Sequence, residues 1–219
     1  MLGDSVMVSP LIKMYVAIRS LKETQKQLDE IFDFYNKSID MDRNVIKFSF
    51  LAFYPTILGA GSLIKNRIYV SAEWAATLIF NRDDATLNAF NLTIGHELSH
   101  KDGDFAVWYW ERESKQFIRK KDRKFVNWVT EVHHDFFAAE KMVDSNKEKL
   151  LASMDYKIKL KPNNEDRNTH PSWKQRKEYA KTGAFNKALI EEIAKQTGCT
   201  NDKLINEISK FYGDIVLKD

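Results

Sequence analysis

Two histidines four residues apart enclose a glutamate in the run His96-Glu97-Leu98-Ser99-His100, and the run sits inside a stretch of helical apolar periodicity. Four residues is about one helical turn, roughly 6 Å along the axis, so both imidazoles lie on one face. From there both can reach a single zinc ion at roughly 2.0–2.1 Å. Glu97, next to the first histidine, can take a proton from an attacking water and pass it to a leaving amine. With 5 histidines in 219 residues, chance produces His-Glu-x-x-His in under about 1 in 100 shuffled chains. A fold that uses this run must keep residues 96–100 helical and bring a further ligand to it from elsewhere in the chain.

A catalytic zinc site takes three protein ligands and keeps one position open. The stretch after His100 superficially resembles a metzincin signature, but position 106 is Ala106 where that signature needs a His or Asp. The better candidate is the run Glu131-Val-His-His-Asp135. On a helix Glu131 and Asp135 share one face. Glu131 can be the third ligand, and Asp135 can accept a hydrogen bond from the far nitrogen of a ligating histidine and fix its tautomer. His133 and His134 are rival ligands. The remaining histidine, His170, precedes Pro171, which biases its backbone towards an extended form. A loop histidine there could donate to a developing oxyanion, or sit on the metal as a fourth ligand in a closed form. Arg176 could orient the same loop through a carboxylate.

Composition narrows the frame. Only 8 Gly and 4 Pro occur, which favours helices over a turn-rich all-β fold. A lone cysteine, Cys199, excludes an internal disulfide and a cysteine zinc cluster. A net charge of +3 is too balanced to argue for nucleic acid. No run of 18 apolar residues spans a membrane, and the first ten residues lack the basic region of a signal peptide, so a soluble, cytoplasmic chain is expected.

Along the chain, Ser9-Pro10 reads as a helix start. The apolar stripe Leu11, Met14, Ile18, Leu21, Leu28, Phe32 and Tyr35 follows. This 9–36 helix packs on the domain or serves as a self-association seam. Val45–Tyr54 and Leu63–Ser71 read as two strands around a Gly59-Ala60-Gly61 turn. Asp83 or Asp84 caps the helix that runs to His100. Further helices are expected over Phe125–Val143, Ser172–Lys181, Asn186–Thr197 and Asn201–Val216, with a polar loop at Pro162–His170. The basic run Arg119–Lys124 reads as a solvated helix face.

The ordered set His96-Glu-Leu-Ser-His100, Glu131-x-x-x-Asp135 and Thr169-His-Pro-Ser-Trp-x-x-Arg176 resembles the gluzincin peptidases related to HtpX and the CAAX prenyl protease. The resemblance covers residues 64 to 180. It implies a zincin-like α+β fold, mostly helical, with a small twisted sheet beside the active-site helix, and zinc metalloendopeptidase activity on a peptide or protein substrate. It implies the metal ligands His96, His100 and Glu131, the base Glu97, and Asp135 behind the ligands. The chain departs from the family at His134, where a small residue is usual, and in carrying no transmembrane helix, so it looks more like the soluble, stand-alone relatives. The domain organisation expected is a 1–42 helix, a 43–183 zincin-like domain and a 184–219 helical pair. The rival from another class is a non-catalytic zincin-like binding module. Glu97 weighs against it, because holding zinc requires only the ligands. A regulatory protease that cuts one partner is a second enzyme reading, although no helix-turn-helix accompanies it.

Overall fold

With so few helix breakers the chain folds, among the described residues, mostly as helix with two small sheets, an α+β arrangement. The computed structural model describes residues 15, 18, 19, 22, 23, 26, 27, 29, 47–51, 60–63, 67–71, 74, 77, 78, 80, 81, 83–100, 103–142 and 146–219. Two compact units divide the chain, Met1–Leu87 and Asn88–Asp219. No helix among the described residues is long and apolar enough to cross a membrane.

In the first unit, β1 (Lys47–Leu51), β2 (Ala60–Leu63) and β3 (Arg67–Ser71) form a sheet of order β1-β3-β2. β1 runs parallel to β3, and β2 pairs with it antiparallel. Three strands replace the two expected. Ala60 and Gly61, read from sequence as a turn, pair with Val70 and Tyr69, and the chain reverses between Leu63 and Arg67. A strand tolerates a glycine at a modest cost, and pairing with β3 absorbs it here. Of the expected 9–36 helix, Tyr15, Ile18, Arg19, Lys22, Glu23, Lys26, Gln27 and Asp29 are helical. The rest of that stripe, and with it the self-association seam, lies outside the described residues.

The helix bearing His96 is α1 (Asp84–Ser99), and Asp83 caps it by accepting the Thr86 backbone N–H at 2.7 Å. In the second unit follow α2 (Val107–Ser114), α3 (Lys120–Met142), α4 (Lys147–Leu160) and α5 (Trp173–Ala180). β4 (Ala184–Phe185), α6 (Lys187–Thr197), α7 (Asp202–Tyr212) and β5 (Ile215–Val216) complete it. Asn146, Ser172, Asn186 and Asn201 each accept a backbone N–H three residues on, the side-chain cap that stabilises a helix start by about 1 kcal/mol.

Three expectations change. α4 is an addition to the expected helices, because lysines at Lys147, Lys149 and Lys157 flank its apolar positions Leu150 and Met154. α3 starts at Lys120 rather than Phe125, since buried Asp122 accepts from the Arg119 guanidinium at 2.7 and 3.1 Å and anchors the basic turn. α7 stops at Tyr212, where Gly213 takes φ 66°, and Ile215–Val216 turns back to pair with Ala184–Phe185.

α3 is the axis of this unit. It touches α4, α5, α6, β4 and β5. Phe125, Val129, Val132, Phe136 and Ala139, at helical spacing, are buried in one core with Leu150, Met154, Tyr179, Ile190, Ile193, Leu204 and Ile208. The helices of residues 187–212 therefore share the core of the helix that carries Glu131. Phe136→Ala is expected to destabilise the metal-free protein by about 3–5 kcal/mol in urea unfolding. Val216→Ala, at a side chain 70% exposed, is expected to stay within about 0.5 kcal/mol.

Candidate metal centre

One face of α3, beside its core residues, carries acids. Glu131 and Asp135 are both buried, one turn apart. Two carboxylates out of water need cations or donors close by. Both find them on α1 and α5.

His96 lies between the two carboxylates. Its Nε2 is 3.2 Å from Glu131 Oε2, and its Nδ1 is 3.1 Å from Asp135 Oδ1. Arg176, buried on α5, closes the cluster. Its Nε donates to Asp135 Oδ2 at 2.6 Å, its Nη2 to Asp135 Oδ1, and its Nη1 to Glu131 Oε2 at 3.4 Å. The partners that sequence could not name for Arg176 are thus Asp135 and Glu131. Burial opposes charge on all of these groups, and their mutual pairing outweighs it. Despite burial, the hydrogen bonds that His96 donates to Asp135 and Glu131 hold it up at about 9. The His96 N–H and the charges of His96 and Arg176 bring Glu131 down to about 2, and Arg176 with His96 holds Asp135 well below the usual carboxylate range.

His96, His100 and Glu131 each offer a ligand atom, and these atoms lie within 4.8 Å of one another. Four tetrahedral ligands at 2.0–2.1 Å from a metal sit roughly 3.3 Å apart. The His96–Glu131 separation therefore already matches a metal-bound geometry. Two imidazole nitrogens and a carboxylate oxygen form a donor set that suits a divalent transition metal. Asp135 takes the Nδ1 side of His96 and leaves Nε2 for the ion.

The other candidates fall into place around this triad. Half-buried Glu97 feels the charges of Arg176 and of Lys157. His170 Nε2 lies 3.4 Å from Glu131 Oε1, on the oxygen that His96 does not use, with its side chain 57% exposed. It belongs to neither group of donors close enough to share an ion among the described residues. His133 is no rival ligand. Its ring packs on those of Tyr212 and Phe185, centroids 4.3 and 5.1 Å away, and burial takes it down to about 3.

His134 does not join the group of His96, His100 and Glu131 either, but it reaches a residue that the sequence reading missed. Asp104 Oδ1 is 2.8 Å from His134 Nε2 and 3.0 Å from His100 Nδ1. Its position four residues after His100, on a face that continues the helix, was the available signal. A second omission is Lys157 on the overlooked α4. It is buried, with Nζ 4.4 Å from the centre of the Trp173 ring, and burial lowers it to about 8. Arg176 packs on the same indole at 4.3 Å.

Comparison with protein-family models, curated proteins and solved structures finds no match to this chain.

The pH dependence of the metal-free protein follows from these shifts. His96, raised from 6.5 to about 9, contributes stability in full below 6.5 and loses it as pH rises through 9. Glu131 is lowered from 4.5 to about 2, and His133 and His134 are lowered from 6.5 to about 3 and 4. The unfolded chain binds more protons at all three, so their contributions are lost as pH falls. Between pH 6.5 and 8 the gains from His133, His134 and Lys157, all lowered, offset most of the loss from His96, whereas below 6.5 His133 and His134 together outweigh it. Chelator-treated protein is expected to show a Tm that changes little from pH 6.5 to 8 and falls from 6.5 to 4.5. A Tm that rises on going from 6.5 to 4.5 would contradict neutral, buried His133 and His134.

Proposed function

We propose that this chain is a zinc-dependent endopeptidase of the gluzincin type, with a zincin-like catalytic unit. The observation that carries the reading is the convergence of His96, His100 and Glu131 with Glu97 in the same turn of α1. The metal is assigned as zinc from the donor set, two imidazoles and one carboxylate. When bound, zinc supplies Lewis acidity, polarising a peptide carbonyl and making water acidic near neutral pH.

The protein's own groups do the rest. Glu97 takes the proton from the attacking water and delivers it to the departing amine. Asp135 keeps the His96 proton on Nδ1, and Arg176 keeps Asp135 ionised and in place. His170, which reaches Glu131 from the side His96 leaves open, donates its N–H to the oxyanion that develops on the substrate carbonyl. Its place outside the donor group supports this role over that of a fourth ligand.

The test is metal analysis together with cleavage of an unstructured protein by wild type and variants. Wild type is expected to hold one zinc per chain. Glu97→Gln is expected to keep that zinc and lose nearly all turnover, because glutamine is close to isosteric but cannot take the proton. Bound zinc without cleavage that depends on Glu97 would transfer the chain to the binding-module reading. Glu131→Ala is expected to lower zinc affinity sharply, and His133→Ala to leave it unchanged. Asp135→Asn is expected to cost about 10–100-fold in affinity or activity. His170→Ala is expected to keep zinc and lose up to about 10²–10³ in turnover. A rise in turnover would instead make His170 a ligand of a closed form.

A further inference from the structure

Asp104 stands in the short connection between α1 and α2, just after Gly103, which takes φ 106°. That conformation is open to glycine and strained for other residues, and it accompanies the turn of the chain back towards His100. The connection is pinned from the far side. The Phe105 backbone N–H donates to Tyr212 Oη at 3.2 Å, and Tyr212 Oη is 2.6 Å from Thr130 Oγ1 on α3. Asp104 itself meets two imidazoles, His100 Nδ1 at 3.0 and 3.1 Å to its two oxygens and His134 Nε2 at 2.8 Å to Oδ1.

By distance alone, His100, Asp104 and His134 could hold an ion of their own. The proton positions argue otherwise. His134 is buried, and among the described residues its Nδ1 has no hydrogen-bond partner. A proton on Nδ1 would be a buried donor with nothing to receive it, a rarer and costlier situation than a lone pair left over. The proton therefore sits on Nε2 and is donated to Asp104. A nitrogen that carries a proton has no lone pair for a metal. His100 in turn donates its Nδ1 proton to Asp104, which leaves Nε2 as its ligating atom.

We propose that Asp104 is the positioning residue for the second histidine ligand, His100, and that His134 holds Asp104 in place. His96 and His100 are then each fixed at Nδ1 by a carboxylate of their own. Asp135 comes from α3 directly, and Asp104 comes from the connection after α1 with α3 behind it through His134. Burial works against the Asp104 charge, and the two imidazole donors more than offset it. The proposal rests on the zinc reading of His96, His100 and Glu131.

The experiment uses the full chain, with zinc affinity from chelator competition and imidazole N–H resonances from NMR of the metal-free protein. Wild type is expected to show a far-downfield Nδ1–H signal for His100 and to bind one zinc. Asp104→Asn is expected to remain folded, lose that signal and bind zinc about 10–100-fold more weakly. His134→Gln, whose amide can still donate to Asp104, is expected to keep the signal and near wild-type affinity. His134→Leu, which cannot donate, is expected to weaken both. Wild-type zinc affinity in Asp104→Asn overturns the proposal. So does a second zinc per chain that Asp104→Asn abolishes, because Asp104 would then be a ligand. A wild type that binds no zinc while showing the His100 signal overturns the zinc reading and leaves the Asp104–His100 pair standing.

Discussion

Two carboxylates buried on one helix face, Glu131 and Asp135, set the terms for everything around them. Charges removed from water cost several kcal/mol each after relaxation, and only close partners of opposite charge offset that. Arg176 supplies one fixed positive charge, and His96 lies between the acids. One arginine against two carboxylates leaves the cluster a charge short. In the metal-free protein the missing charge is the proton on His96, which explains why a buried imidazole is held up rather than pushed down. Removing any member would strand the others, so α1, α3 and α5 are tied together at this point more firmly than apolar packing alone would require.

The spacing on α3 explains how one turn can organise the whole centre. Glu131, His134 and Asp135 sit at i, i+3 and i+4, so their side chains leave the same face side by side. Glu131 offers a ligand atom, Asp135 orients His96, and His134 donates to Asp104 beneath His100. The other faces of the same turn are apolar, with Val129, Val132 and Phe136 in the core. Precision at the centre then derives from a helix that the core already holds on several sides, which is the condition under which ligand geometry is reproducible. His133 belongs to the packed side, against Tyr212, and its neighbour His134 to the polar side. Two adjacent histidines therefore have unrelated roles, decided by the 100° that separates successive residues on a helix.

What could be read from the residues was whatever helical geometry carries locally. His96 and His100 on one face, Glu131 and Asp135 on another, and a cap at Asp83 or Asp84 all follow from spacing within a single element. The contacts that needed a third element were not legible. Arg176 was visible as a basic residue in a short helix, but nothing local says that α5 aims it at Asp135 and Glu131. Asp104 was passed over because the chain leaves α1 before reaching it, and contacts from distant helices, His134 on Asp104 and Tyr212 on Phe105, accompany its place near His100. α4 was missed because lysines break its apolar pattern, and one of them, Lys157, is buried. A lysine reads as a surface residue unless a neighbour such as Trp173 shelters it. The strand boundaries failed for a similar reason, since Gly61 reads as a turn until pairing with β3 absorbs it.

The arrangement also bears on how a centre of this kind can exist without its ion and still be ready for it. The distance between His96 Nε2 and Glu131 Oε2 is close to that expected of two ligands on one tetrahedral metal. Without an ion the two side chains are within hydrogen-bond reach of each other, and with His100 they are the groups that would hold one. Uptake of an ion requires little movement of α1 or α3, because Asp135 and Arg176 hold the opposite edge of the imidazole. The cost of ordering the ligands is then met during folding rather than at metal uptake. Uptake becomes a competition between proton and ion, steeper at low pH because the ligand must first be neutral. At His100 the contact with Asp104 turns Nδ1 away and leaves the other ring nitrogen towards the ion. The two histidines of one motif are then each oriented at Nδ1 by a different carboxylate, Asp135 for His96 and Asp104 for His100.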